Sequence, residues 1–182
     1  MASVIVTPPT QEPITLDMVK SQSRITHTLD DALLQGYIAS ARDYLQIVTR
    51  RQFLSATLQW MGLQQPQGLV TLDNPPLASV SEVATMAGSV PTILDPTLYL
   101  PIITREPGQV ALLTAIPMTT PIRVTYVAGW ATPEVMPPSL RQAMLLLVAH
   151  WIEHREASTM ERMMCLPYAI ESLVWANKLV TA

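Results

Sequence analysis

The sequence predicts an α+β protein: a helical bundle built from both chain ends, with a proline-rich antiparallel β insert between helices. Three observations predict it. Residues 15–54 and 138–182 carry apolar side chains at helical spacing, residues 55–137 carry short β-branched runs, and eleven of the sixteen prolines fall in that middle segment. The organisation that follows is an extended N-terminal arm over 1–14, a helical module from 15–54 plus 138–182, and a β-rich insert over 55–137.

Pro8, Pro9 and Pro13 give the first fourteen residues the character of an extended arm rather than a packed element. Thr15 is placed to N-cap a short helix over 16–21. Thr28, with Asp31 three residues on, has the form of a capping box opening a helix over 29–49. Leu34, Ile38, Ala41, Leu45 and Val48 make one apolar stripe along it, with Tyr37 and Tyr44 beside the stripe. The adjacent carboxylates Asp30 and Asp31 sit at the helix start, where they complement the helix dipole; Arg50 and Arg51 do the same at its end.

From Ser55 the period changes. Strands are predicted over 57–62, 69–72, 79–86, 92–94, 98–103, 110–113 and 122–127, and residues 123–127 alternate in the two-residue rhythm of a half-buried strand. Pro75-Pro76, Asp95-Pro96, Pro107-Gly108 and Ala128-Gly129 separate them. Regular strand spacing predicts an antiparallel meander or small sandwich rather than βαβ units. Pro133, Pro137 and Pro138 close the insert. A helix then runs from Pro138 or Ser139 to about Glu156, with Leu140, Met144, Leu147, Val148, Trp151 and Ile152 on one face. Residues 157–165 read as a polar, methionine-rich connection, and Pro167 fits the first turn of a last helix to Trp175.

Composition narrows the function. Charged residues make up 14% of the 182-residue chain and mean hydropathy is +0.27, against roughly 25% charged residues in an ordinary soluble domain. The longest apolar run, Ala143 to Ala149, is seven residues, far short of the ~20 that cross a bilayer, and no secretory signal opens the chain. A chain so poor in charge is expected to cover its surface with copies of itself or a larger assembly. The net charge of −3 gives no electrostatic footprint for gripping nucleic acid. Cys165, the single cysteine, cannot form an internal disulfide and suits a reducing compartment. Beside Met160, Met163 and Met164 it reads as a buried or interface thiol, because Arg162 alone does not supply the basic setting a nucleophile needs.

One motif suggests chemistry. His150, Glu153 and His154 form His-x-x-Glu-His, the pattern of inverted zinc peptidases, in which two imidazoles at i and i+4 hold zinc and the glutamate acts as general base. A catalytic site needs a third protein ligand, and the short remaining tail offers only Glu156, Glu161 and Glu171. The reading that fits better is a helix whose histidines meet neighbours or an interface; a metal or inter-subunit contact is the alternative. No catalytic residue, cofactor or metal is expected. Arg24, Arg42, Arg50 and Arg51 are the residues a nucleic-acid-binding accessory protein would use. Trp151 reads as core, whereas Trp175 near the chain end reads as either ordinary packing or an anchor in a partner's pocket.

The order of segments resembles that of tailed-phage head–tail connector (adaptor, head-completion) proteins. The resemblance is carried by Pro13-Ile-Thr-Leu-Asp-Met-Val-Lys20, Asp30-Asp31-Ala-Leu-Leu34 and Ile38-Ala-Ser-Ala-Arg-Asp-Tyr-Leu45 leading to Thr49-Arg50-Arg51. Further on it is carried by Val124-Thr-Tyr-Val-Ala-Gly129, Leu140-Arg-Gln-Ala143, Leu147-Val-Ala-His-Trp151, Glu153-His-Arg-Glu156 and Leu166-Pro-Tyr-Ala169. Two positions depart from the family pattern: Arg50 stands where a glycine is common, and His154 where an asparagine is common. The resemblance implies a structural virion protein at the head–tail junction, made in the bacterial host cytoplasm. It would form a ring of about twelve copies on the portal protein. That ring would extend the channel through which genomic DNA passes without sequence-specific binding, and offer a docking surface to the next tail-side connector, stopper or tail terminator. It also implies that the C-terminal segment, Trp175, Lys178, Leu179 and Val180, docks against the portal.

Overall fold

Alternation governs the β-rich middle of the chain. In the computed structural model, which describes residues 3–88, 90–154 and 168–179, the strands are Val4–Thr7 (β1), Ala56–Gly62 (β2), Leu69–Thr71 (β3), Leu77–Ala87 (β4), Val90–Ile93 (β5), Tyr99–Ile102 (β6), Gln109–Leu112 (β7) and Ile122–Ala128 (β8). Ile122, Val124, Tyr126 and Ala128 of β8 are buried while Arg123, Thr125 and Val127 between them are not, and Ala56, Leu58, Trp60 and Gly62 of β2 follow the same rule. Each such fully buried Leu, Ile or Val contributes about 1.5–3 kcal/mol, so the period itself fixes which face turns inward.

The strands form a five-stranded sheet in the order β1-β2-β8-β4-β5 and a three-stranded sheet in the order β3-β7-β6, all pairs antiparallel. A simple meander is excluded, because β8 lies between β2 and β4 and so joins segments far apart in sequence. The sandwich expectation fits: Leu58, Trp60, Val83, Ile122, Val124 and Tyr126 of the larger sheet share one core with Val70, Tyr99, Val110 and Leu112 of the smaller. The Tyr126 hydroxyl, deep in this core, donates to the Asp73 carbonyl oxygen at 2.8 Å and lies 2.7 Å from Ser3 Oγ. Burial pushes the Tyr126 phenol up to about 12, and burial likewise raises the Asp73 carboxyl. Gly129 ends β8 at φ +103, and a Cβ there would stand 2.5 Å from the Leu54 carbonyl oxygen, so only glycine fits.

The N-terminal segment differs from its prediction as an unpacked arm. Residues 4–7 pair with β2 as an edge strand, although all four side chains are exposed. Backbone pairing and the Ser3–Tyr126 contact hold it, and neither leaves a trace in hydrophobic periodicity.

The helices are Leu16–Ser23 (α1), Asp31–Thr49 (α2), Pro138–Glu153 (α3) and Tyr168–Trp175 (α4). Together with the seven predicted strands and β1 they make the chain a mixed α+β fold. Thr15 caps α1 as expected, its Oγ1 accepting from the Met18 amide at 3.3 Å. The Thr28–Asp31 capping box does not form in the predicted way: α2 begins at Asp31, and the Asp31 carboxylate takes Lys20 Nζ at 2.6 Å. The ion pair with α1 offers that carboxylate a charged partner in place of an amide. Pro138 occupies the first turn of α3, which ends at Glu153 rather than Glu156. Leu34, Ile38, Ala41 and Leu45 of α2 are buried, as are Leu140, Ala143, Met144, Leu147 and Val148 of α3; α3 packs on α1, α2 and α4. Trp151 meets Tyr37 edge-on, with ring centroids 6.0 Å apart. The predicted connection over 157–165, with Cys165, and the Pro167 turn lie outside the described residues.

By compactness the chain divides into two units, residues 1–10 with 50–130 and residues 11–49 with 131–182. The first holds the sandwich and the second the helices.

Candidate interaction surfaces

Helix α4 separates its faces cleanly. Ile170 and Val174 point into the helical unit, while Tyr168 and Trp175, seven residues apart and so on one face, are 89% and 59% exposed. Beyond α4 the chain is tied to its own unit: Asn177 Nδ2 donates to Ser139 Oγ at 2.8 Å and to the Leu173 carbonyl at 3.0 Å, and the Leu179 amide donates to the Thr49 carbonyl at 3.0 Å. Lys178 Nζ stands 5.2 Å from the Trp175 ring centroid, a cation–π contact that holds the indole against the chain while leaving its outer face open. The segment is therefore a pre-formed exposed knob. The structure brings Trp175 and Lys178 together and sets Leu179 beside the end of α2; Val180 lies outside the described residues.

The histidine motif falls at the end of α3. The His150 and His154 rings have centroids 4.4 Å apart with planes at 37°, and His154 Nδ1 lies 3.0 Å from the His150 carbonyl oxygen. Glu153 is exposed beside them. His150 and Glu153 line a groove of about 370 Å³ with Gln22, Ser23, Ala149 and Ala169. Among the described residues no three His, Cys, Asp or Glu side chains cluster closely enough to hold a metal ion together; Glu156 and Glu161 lie outside them.

Two of the four arginines are held by carboxylates. Arg42 is bound by Glu12 and, at 3.0 Å, by Asp43, and Arg51 Nη2 meets Glu106 at 2.6 Å. Arg24 closes α1 from a left-handed conformation, with its amide turned to the Lys20 and Ser21 carbonyls. Arg50 is likewise left-handed, at φ +55, immediately after α2.

Sequence reasoning passed over a second apolar stripe on α2. Leu33, Tyr44 and Ile47 are 41%, 40% and 77% exposed, and Gly36 and Ser40 lie between them on the same side of the helix. The spacing was readable; the stronger stripe through Leu34, Ile38 and Leu45 masked it. In the sandwich unit, Val4, Ile5 and Val6 of β1 and Val90 and Ile93 of β5 are exposed on the two edge strands of one sheet.

The sequence pattern of the Phage gp6-like head-tail connector protein matches residues 13–86, from the entrance of α1 to the end of β4. The resemblance to head–tail connectors holds. The matched family is one of structural connectors, not of enzymes. Fold likeness reaches over the whole chain. Against a protein in the virion of a native gene transfer agent particle the TM-score is 0.81 at 21% identity, covering 100% of this chain and 97% of that one. A chain from the neck of an empty gene transfer agent particle, computed with C6 symmetry, gives 0.79 at the same 21% identity and the same 100% and 97% coverage. One from the neck of the native particle, computed with C12 symmetry, gives 0.72, again at 21% identity over 100% and 97%. Among curated proteins no sequence matches the chain. No helix among the described residues is long and apolar enough to cross a membrane.

Proposed function

We propose that this chain is a head–tail adaptor: copies form a ring on the portal of a tailed phage or phage-like particle, extend the DNA channel, and present the surface on which the next tail-side component docks. The observation that carries the reading is the connector match over residues 13–86, supported by the whole-chain likeness to neck components solved with C6 and C12 symmetry. A ring subunit joins its neighbours through two unlike faces. The helical unit offers unlike faces in the α2 stripe and the aromatic side of α4. A copy number of about twelve would fit the C12 relative.

Within this reading, the segment from Trp175 through Lys178, Leu179 and Val180 docks on the portal. An exposed indole backed by a cation is the kind of anchor that concentrates binding energy, and its own unit already holds it in place, which lowers the ordering cost of binding. DNA would pass the ring without being gripped, since Arg42 and Arg51 are spent on carboxylates and the chain is net acidic.

The test is co-sedimentation with the portal ring encoded beside this chain, imaged by negative stain. An added collar at near one-to-one subunit ratio is expected. A portal ring that sediments bare at saturating concentrations of this protein would remove the adaptor reading.

A further inference from the structure

We propose that His150 and His154 chelate one divalent transition-metal ion, a binding site separate from assembly and without catalytic work. The rings lie side by side across one turn at the end of α3, tilted by 37°, with a centroid separation of 4.4 Å. A metal held about 2.0–2.1 Å from an imidazole nitrogen lies roughly 3.2 Å from that ring's centroid, so two rings meeting at a metal at a right angle have centroids ~4.5 Å apart, and at the tetrahedral angle ~5.2 Å. The observed spacing is of this order, close enough for both rings to reach one ion, and among divalent ions an imidazole pair binds Cu²⁺ most tightly.

The second feature is the hydrogen bond behind the pair. His154 Nδ1, 3.0 Å from the His150 carbonyl oxygen, donates its proton there when the ring is neutral, which leaves the Nε2 lone pair turned away from the helix. A backbone carbonyl on the far nitrogen is the usual support of a metal-binding histidine, because it fixes the tautomer and raises the basicity of the ligand. His154 is exposed and His150 forms the wall of an open groove, so an ion has a path in. Among the described residues the two imidazoles are the ligands the site supplies. This geometry recovers a binding role for a sequence motif that the adaptor reading leaves unused, and it stands or falls independently of that reading.

The experiment is calorimetric titration of the metal-free protein with Cu²⁺, Ni²⁺ and Zn²⁺ in a non-coordinating buffer, with Cu²⁺ electron paramagnetic resonance on the unmodified chain. One site is expected, tightest for Cu²⁺, with a resonance signature of two equatorial nitrogens. His150→Ala and His154→Asn each weaken it about tenfold or more, while His27→Ala, removing the distant third histidine, changes nothing. A one-nitrogen spectrum, or Cu²⁺ affinity that survives loss of both histidines, overturns the assignment. The spectrum needs no variant, so a misfolded mutant cannot obscure the result.

Discussion

Single residues carry the sharpest consequences, beginning with Arg50. It follows the last residue of α2 at φ +55, a left-handed conformation that glycine adopts freely and that costs a side-chain-bearing residue about 1 kcal/mol or more. Arg50→Gly is expected to stabilise the protein by about 1 kcal/mol in urea unfolding; unchanged or lower stability would mean that the guanidinium contributes more than the backbone loses. Gly129→Ala is the opposite case, since its Cβ would press on the Leu54 carbonyl at φ +103, and a loss of about 2 kcal/mol or more is expected. Tyr126 makes stability depend on pH. Below its ordinary value of 10.0 the phenol is neutral in both states and its burial contributes in full. Above that the unfolded chain sheds a proton that the folded chain keeps until about 12, so stability falls across this window, by up to about 3 kcal/mol. Tyr126→Phe should flatten that fall between pH 10 and 12, and should cost about 1–2 kcal/mol at neutral pH through the hydrogen bonds to Ser3 and Asp73. A slope unchanged in the phenylalanine variant would assign the alkaline loss to other groups.

At the scale of elements, deleting residues 1–7 tests how the sheet is finished. The deletion removes the β1 edge strand, bares the β2 edge with Trp60 and Leu58 behind it, and takes Ser3 from Tyr126. Lower stability and concentration-dependent aggregation are expected on size exclusion; a monodisperse chain of unchanged stability would make β1 an ornament of the sheet. This strand also marks where sequence reading runs out. The seven strands of the insert were legible because turn residues bound each one and because β2 and β8 alternate strictly. β1 was not, since four exposed side chains held by backbone pairing show neither alternation nor burial. Nor could the order β2-β8-β4 be read, because pairing between residues 56–62 and 122–128 is decided by long-range burial of Trp60, Val124 and Tyr126 rather than by any local signal. The helices were legible to within a few residues, α2 starting late because Lys20 claimed the carboxylate meant for the cap. The candidate site divides the same way. Trp175 announced itself as an isolated aromatic at a chain end, whereas its cation partner Lys178 and the tether from Leu179 to Thr49 depend on how the tail folds back.

For the whole molecule the deciding property is how little charge it has and where that charge goes. Lys20 is paired with Asp31, Arg42 with Glu12 and Asp43, Arg51 with Glu106, and Arg123 with Glu82, so at least four of the eleven Lys and Arg side chains are paired within the fold. What the surface offers a partner is apolar: Leu33, Tyr44 and Ile47 on α2, Tyr168 and Trp175 on α4. Contacts of that kind are non-directional and survive screening, whereas steering by exposed charge fades beyond a Debye length of about 8 Å at physiological ionic strength. If the proposed adaptor role is right, a ring built this way should persist on its portal as salt is raised from about 0.05 to 0.5 M, a range in which an assembly held by exposed ion pairs would come apart. Trp175→Ala should weaken portal binding by about tenfold or more while leaving the helical unit folded, because the indole is mostly exposed and the Asn177 and Leu179 tethers do not depend on it. Ile47→Glu should instead leave the portal contact intact and disturb contacts between copies, by placing an unpaired carboxylate in a stripe that contains none. The two variants separate the surfaces. If Trp175→Ala breaks the ring and Ile47→Glu releases it from the portal, the assignments are interchanged. If neither changes sedimentation with the portal, the contact lies on the sandwich unit, where the exposed edges β1 and β5 are the next surfaces to alter.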